Sequence, residues 1–216
     1  MRASDPSGAT QKRLPNVART AQRLGIVTPI NTDPAMALGT SLVTPLEMAQ
    51  AYDAFSNGGN RVAAFGIERI RTVQSGRVLW THPAPVTPAA IGNPALGELD
   101  QMLRQVVVSG TGVKAAIPGY DIAGKTGTTS DFRDAWFCGF SGNFTTVVWM
   151  GRDDNSPMRG ITGGSAPAEF WKSFMRVALK RGAVTAIPPG PPAPVVAPPV
   201  APTLPATATN AVSPTI

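Results

Sequence analysis

The stretch that decides the fold is Gly124-Lys125-Thr126-Gly127-Thr128-Thr129. Alternate residues of an extended chain share a face, so the hydroxyls of Thr126 and Thr128 point to the same side. Lys125 brings positive charge, and Gly127 has no side chain to keep a ligand away from the backbone. The stretch therefore predicts a strand edge that can hold an anionic acyl group. An ordinary exposed strand end is the alternative interpretation.

Strands and helices are predicted on both sides of this stretch. The apolar segments 135–140 and 144–150 flank Ser141-Gly142-Asn143, which is typical of a hairpin turn. Upstream, Thr44-Pro45-Leu46-Glu47 combines an N-cap threonine, a proline at the first helical position and a glutamate at the third, which predicts a capping box and a helix. An antiparallel sheet with helices packed on it, the α+β class, is the expected architecture. The remaining predicted elements are strands at 61–73, 77–80 and 121–128 and helices at 15–24, 96–106 and 166–180, the last with Phe170, Phe174 and Val177 on its apolar face.

The composition indicates one packed domain followed by an unpacked tail. With 216 residues, of which 43% are hydrophobic, the chain is long enough to bury a substantial core. From Ile187 onward the sequence is rich in Pro, Ala, Val and Thr and has no charged residue. Because proline removes backbone donors and fixes φ, we expect a domain over 1–186 and an extended, disordered tail over 187–216.

Charge, cysteine and histidine content argue against several classes of function. The net charge is +6, but the basic residues are scattered singly, so we expect no nucleic-acid partner. Cys138 and His82 each occur once, which leaves no internal disulfide and no usable histidine for a serine or cysteine nucleophile. Asp153-Asp154 has no further ligands nearby in sequence, so we expect neither a metal nor a cofactor. No apolar run reaches membrane-spanning length, and no export signal is evident near the start.

Several blocks together resemble the class A penicillin-binding proteins. GKTGTTSDFRDAWFCGF, VVWMGRDD and GITGGSAPAEFWKSFM are similar to the C-terminal part of the transpeptidase domain of that family. ALGTSLVTPLEMAQAYDAFSNGGNRV and VSGTGVKAA, further upstream, are similar to other parts of the same domain. The resemblance covers 17–180 and implies part of the fold that these transpeptidase domains share with serine β-lactamases.

The resemblance also implies an activity and roles for the central residues. Family members work on the periplasmic face of the cytoplasmic membrane, where a serine attacks the D-Ala–D-Ala end of a peptidoglycan stem peptide and an amine takes the acyl group; β-lactams mimic that end. Lys125 would supply positive charge and a proton-relay contact. Thr126, Gly127 and Thr128 would bind the substrate or β-lactam, with the two threonines on its carboxylate and the N–H of Thr128 in the oxyanion hole.

The serine that this resemblance implies is not found in the sequence. In the family a Ser-x-x-Lys and a Ser-x-Asn both precede Lys-Thr-Gly, yet no lysine here has a serine three residues before it. Thr111-Gly112-Val113-Lys114 and Ser141-Gly142-Asn143 are the nearest imitations, and we interpret them as a loop and a hairpin turn. We therefore expect the chain to begin just past the Ser-x-Asn position, to be inactive alone and to be marginally stable.

Two functions remain open at this point. The first is D,D-transpeptidation as the parent activity, with the nucleophile missing from this chain. The second is a non-catalytic, truncated homologue that binds β-lactam, stem peptide or an envelope partner. A complete hydrolase of another kind is not indicated, because the chain has no Gly-x-Ser-x-Gly elbow.

Overall fold

The computed structural model describes residues 16–84 and 88–187. Its regular elements alternate between helices and antiparallel strands, so the fold is α+β, as predicted. In chain order these are helix α1 (16–24), helix α2 (Pro45–Ser56), strands β1 (Arg69–Arg71) and β2 (Val78–Thr81), helix α3 (Ala95–Val108), strands β3 (Ala123–Thr128), β4 (Asp134–Ser141) and β5 (Phe144–Gly151), and helix α4 (Ala166–Ala178). Short 3-10 turns lie at Pro34–Leu38 and Val113–Ala115.

The main sheet has the order β3-β4-β5 and carries one core on each face. Phe140 of β4 packs with residues of α2 and α3, whereas Phe137, three positions earlier, packs with Trp171 of α4. Successive strand residues face opposite sides, so an odd spacing sends these two rings into different layers. The result is a three-layer arrangement with the sheet in the middle.

The predicted capping box is present at the start of α2. The Thr44 hydroxyl accepts a hydrogen bond from the Glu47 N–H at 3.2 Å, and the Glu47 carboxylate accepts from the Thr44 N–H at 2.9 Å. Glu47 also reaches outside its helix, because it accepts from the backbone N–H groups of Val27 and Thr28. One buried carboxylate therefore joins the helix start to the segment that follows α1.

The hairpin prediction for 135–150 is confirmed, whereas the long strand predicted at 61–73 is wrong. Only Arg69–Arg71 pairs, with Val78–Thr81. The earlier part is used elsewhere, since the N–H of Arg61 donates to the Pro88 carbonyl and the N–H of Ala64 donates to the Gln50 side chain. Backbone donors that are already bonded off the sheet cannot join the ladder.

Helix α4 forms where it was predicted but packs on a different face. Phe170, Phe174 and Val177 are 59%, 53% and 54% exposed. The buried residues of the helix are instead Pro167, Ala168, Trp171 and Met175. The helix has two apolar stripes, and the larger Trp171 decides between them because its indole N–H also donates to the Thr146 carbonyl at 2.9 Å.

The core includes the residue just past the predicted domain boundary. Ile187, the first residue of the predicted tail, is 3% exposed in the core with α2 and α3, and its carbonyl accepts a hydrogen bond from Arg104. The rest of the predicted tail and residues 1–15 lie outside the described residues. Within 16–84 and 88–187, no helix combines the length and the apolar character that a membrane crossing requires.

Candidate active site

Strand β3 lies at one edge of the main sheet and carries the Lys-Thr-Gly-Thr residues. It pairs only with β4 among the described strands. The N–H of Thr129 donates to the carbonyl of Asp134, and antiparallel pairs alternate between bonded and non-bonded positions. Counting back from that bond, the backbone groups of Gly127 and Lys125 face β4, whereas those of Thr128 and Thr126 face away from the sheet. The N–H of Thr128 therefore points into the free edge.

Both threonine hydroxyls of this strand are held by neighbouring loops. The hydroxyl oxygens of Thr126 and Thr111 lie 2.6 Å apart and share a hydrogen bond. The hydroxyl oxygen of Thr128 accepts from the N–H of Gly163 at 3.0 Å, which leaves its own proton available as a donor. These contacts limit the rotation of the two hydroxyls, so a ligand would meet donors that are already oriented.

Gly163 can hold this position only because it has no side chain. A Cβ on it would lie 2.1 Å from the Trp136 carbonyl oxygen and 2.5 Å from the Gly127 carbonyl oxygen. A Cβ on Gly164 would similarly lie 2.2 Å from the carbonyl oxygen of Thr111. The Gly-Gly pair that precedes α4 is thus pressed against the strand that carries the candidate site.

Lys125 is exposed and turned toward the free edge. Its ammonium group donates to the outward-facing carbonyl of Thr126 at 2.9 Å. Among the described residues it forms no ion pair with a carboxylate. Its positive charge is therefore available to an anion that lies along β3.

A tight loop from 129 to 134 closes the end of β3. The Thr129 hydroxyl accepts from the N–H groups of Arg133 and Asp134, both at 2.9 Å. Phe132 has a φ of 55°, in the left-handed region that bulky residues rarely adopt, and its carbonyl accepts from the N–H of Met158. Several hydrogen bonds hold this loop and its one strained residue beside the strand end.

The other residues singled out from the sequence do not join this edge. Ser141 is 1% exposed and donates to the carbonyl of Asp121, so it is a structural turn residue and not an available nucleophile. Cys138 is 3% exposed, and burial raises the pKa of its thiol to about 12. His82 stacks on Phe65, far along the chain from β3. Within the described ranges, no three residues of the His, Cys, Asp and Glu types gather as a metal site would require.

Sequence reasoning missed the partners that orient the site. Thr111 and Gly163 belong to two of the blocks quoted above, VSGTGVKAA and GITGGSAPAEFWKSFM, but neither residue was given a role. Adjacent glycines before a helix are the signal that could have marked a close backbone approach.

A family model described as the penicillin binding protein transpeptidase domain matches residues 19–176. The chain belongs to the penicillin-binding protein transpeptidase family. It is 40% identical over 158 residues to penicillin-binding protein 1A of Neisseria cinerea, covering 68% of this chain and 19% of that protein. It is 34% identical over 165 residues to penicillin-binding protein 1B of Escherichia coli K12, covering 75% of this chain and 19% of that protein.

The fold agrees with this family assignment. The crystal structure of penicillin-binding protein 1A from Haemophilus influenzae superposes with a TM-score of 0.70 at 26% identity, over 85% of this chain and 34% of that one. Together with the sequence matches, this makes the chain part of a class A, 1A-like penicillin-binding protein transpeptidase domain. The chain spans about a fifth of the length of these curated relatives.

Proposed function

We propose that β3 is the substrate-holding edge of a D,D-transpeptidase site that takes a peptidoglycan stem peptide ending in D-Ala–D-Ala, or a β-lactam. The observation that carries the proposal is the free edge itself. The N–H of Thr128 points outward, the hydroxyls of Thr126 and Thr128 are oriented by Thr111 and Gly163, and the Lys125 ammonium lies along the same edge.

Each group has a part in acyl transfer. The Thr128 hydroxyl can donate to a substrate carboxylate, and Lys125 adds a charge that strengthens such a bond. The outward N–H of Thr128 can donate to the oxyanion that forms when the scissile carbonyl is attacked. Gly127 keeps the surface low enough for the substrate backbone to lie against the strand. By analogy with its relatives, the site would act on the periplasmic face of the cytoplasmic membrane.

The nucleophile of this reaction must come from outside residues 1–216. A transpeptidase acyl-enzyme needs a serine with its lysine base, and the sequence has no Ser-x-x-Lys. An oxyanion donor without a nucleophile contributes little to catalysis. We therefore propose that these residues by themselves bind the ligand reversibly and form no acyl-enzyme.

Labelling with fluorescent penicillin tests the missing nucleophile. The purified chain is incubated with the reagent and run on a denaturing gel, and we expect no covalent band. A band that unlabelled penicillin competes away would show that a residue of this chain acts as the nucleophile.

Reversible binding tests the role of the strand. Calorimetric titration with a β-lactam or a D-Ala–D-Ala peptide should give a saturable isotherm that Lys125→Ala and Thr128→Val each weaken by about tenfold, as expected for the loss of a charge-assisted hydrogen bond. Arg71→Ala and Thr81→Val, on the exposed β1–β2 hairpin, serve as matched controls. If all four variants bind the ligand as tightly as the parent chain, the β3 edge is excluded as the site.

The alternative function is a non-catalytic module that binds β-lactam, stem peptide or an envelope partner. The lack of Ser-x-x-Lys in these residues favours it. Supplying the Ser-x-x-Lys part of the transpeptidase domain from the Neisseria cinerea relative, as a fusion, separates the two functions. Covalent penicillin labelling that requires Lys125 would support the transpeptidase site, whereas a fusion that folds but stays unlabelled would support the binding module.

A further inference from the structure

A cationic groove lies beside α4, away from the exposed apolar stripe of that helix. Lys172 and Arg176 on the helix and Lys180 just beyond its end are spaced four residues apart, so they follow one another along the same side. The groove has a volume of about 470 Å³. It is lined by Ile117, Pro118, Tyr120, Lys172, Arg176 and Lys180.

These three cations differ from the basic residues around them. Lys114 pairs with Glu169 at 2.6 Å, and Arg104 pairs with Asp121 at 2.9 Å. The side chains of Lys172, Arg176 and Lys180 have no ion pair or hydrogen bond with another residue of 16–84 or 88–187. Like charges four residues apart on a helix repel one another, so the arrangement costs stability without a compensating partner.

The spacing of the charges limits what can neutralise them. A helix rises 1.5 Å per residue, so the three cations are about 6 Å apart along the groove. In an extended peptide, alternate side chains share a face and are separated by about 6.6 Å. Acidic residues at alternate positions of an extended peptide therefore match the spacing of the cations. Sites for single-stranded nucleic acid combine such cations with aromatic side chains on which successive bases stack, whereas the lining of this groove has one aromatic ring, the partly buried Tyr120. The groove therefore suits an acidic peptide better than a nucleic-acid strand.

The opposite wall suits a peptide as well. The exposed Pro118 gives this wall an apolar surface on which a peptide backbone can lie, and the buried Ile117 supports it from the core. The partly buried Tyr120 brings a hydroxyl that can donate or accept. About one turn before Lys172 on α4, Glu169 forms an ion pair with Lys114. A carboxylate therefore already neutralises the cation that lies next to the groove.

We propose that this groove binds an extended acidic peptide with carboxylates at alternate residues, one opposite each of Lys172, Arg176 and Lys180. The peptide lies between α4 and residues 117–120. The groove is separate from the β3 edge, so the proposal does not depend on the transpeptidase assignment.

Fluorescence anisotropy of the full chain with dye-labelled Glu-Thr-Glu-Thr-Glu tests the proposal. We expect saturable binding that weakens when salt rises from 50 to 200 mM, because the contacts are ionic. Lys172→Gln, Arg176→Gln and Lys180→Gln combined should weaken binding by about tenfold or more, since each exposed pair contributes modestly. Arg69→Gln, Arg71→Gln and Arg77→Gln combined remove the same charge from the hairpin and should change the affinity less than twofold.

Several outcomes would overturn the proposal. Equal losses in the two triple variants would mean that only net charge matters, and no loss in either would place the peptide elsewhere. Equal affinity for Glu-Glu-Glu-Thr-Thr would remove the spacing argument, and tighter binding of a five-nucleotide oligothymidylate would make the ligand a nucleic acid. Benzylpenicillin should not displace the peptide, which keeps this test distinct from that of the proposed function.

Discussion

Asp100 shows how a single buried charge sets a pH dependence. Its carboxylate is fully buried in α3, and neither oxygen has a hydrogen-bond partner among the described residues. Burial raises the pKa of Asp100 to about 6, the nearby Arg104 guanidinium opposes this shift, and the Asp121 carboxylate adds to it. When the folded-state pKa of an acid is raised, ionising the acid costs more in the folded state than in the unfolded state. The free energy of unfolding therefore falls as the pH rises from about 4 to about 6, and this loss persists at higher pH.

Asp100→Asn should therefore remove a pH-dependent loss of stability. The variant's advantage over the parent chain in the free energy of unfolding should grow by roughly 2–3 kcal/mol from pH 4 to pH 8. Urea unfolding at both pH values measures this difference. Asp153→Asn, on the exposed turn after β5, should show no such change, and a variant whose advantage is the same at both pH values would contradict the assignment.

The pKa of Glu47 is shifted in the opposite direction to that of Asp100. Backbone hydrogen bonds from Thr44 and Thr28, helped by the Thr28 hydroxyl and the Val27 N–H, lower the pKa of Glu47 to about 2 against the effect of burial. Because this pKa is depressed, the stability that the carboxylate contributes is complete above about pH 4.5 and is lost as the pH falls toward 2.

Glu47→Gln should destabilise the chain at pH 7 by about 2–3 kcal/mol, because several charge-assisted hydrogen bonds are weakened together. The difference from the parent should shrink as the pH approaches 2. Thermal or urea unfolding followed by circular dichroism measures both effects. Glu98→Gln, an exposed first-turn glutamate of α3, is the matched control, and an equal loss in that variant would mean that the capping network is not the cause.

Local sequence signals predicted the elements whose ends and faces depend on neighbouring residues alone. Such signals predicted the Thr44–Glu47 capping box, the Gly142-Asn143 turn and the strand after Asp121. The face on which α4 packs could not be predicted in this way, because Phe170 and Trp171 belong to competing stripes and only tertiary contacts of Trp171, with the Phe137 ring and the Thr146 carbonyl, decide between them. The partners of Thr126 and Thr128 were also hidden, since Thr111 and Gly163 are 15 and 35 residues away from them in the chain.

The loop before α4 offers an element-scale test of the candidate site. Gly163→Ala would force a methyl group into the Trp136 and Gly127 carbonyls and displace the loop from β3. We expect a loss of about 1–3 kcal/mol in stability from overpacking and weaker β-lactam binding, because Thr128 loses the contact that orients its hydroxyl. Unfolding curves and calorimetric titration measure the two effects.

Gly66→Ala is the control for this substitution, since a Cβ at that position meets nothing within 4 Å. If Gly163→Ala keeps both the parent stability and the parent affinity, the close approach of the loop is not needed by the site.

At the scale of the whole molecule, two elements of the described part expose several large apolar side chains. Phe170, Phe174 and Val177 form a stripe on α4, and Ile70, Leu79 and Trp80 lie exposed on the β1–β2 hairpin. Contiguous apolar patches of this kind favour association.

We expect Phe170→Ser and Phe174→Ser combined to reduce concentration-dependent self-association of the chain without lowering its melting temperature, because neither side chain packs in the core. Sedimentation velocity over a range of concentrations measures the association. Val73→Ser with Val113→Ser removes two exposed apolar side chains from separate places and should have little effect. If both pairs reduce association equally, the α4 stripe has no special role.

Cys138 gives the candidate site a built-in reporter. It lies directly opposite Lys125 in the β3–β4 register, and the sequence contains no other cysteine. Because the thiol is buried and has a pKa of about 12, it can react with a disulfide reagent near neutral pH only after the core around it opens. The rate of thiol modification therefore measures how often the core behind the site opens, and a ligand that binds only the closed form along β3 would lower this rate as its occupancy rises.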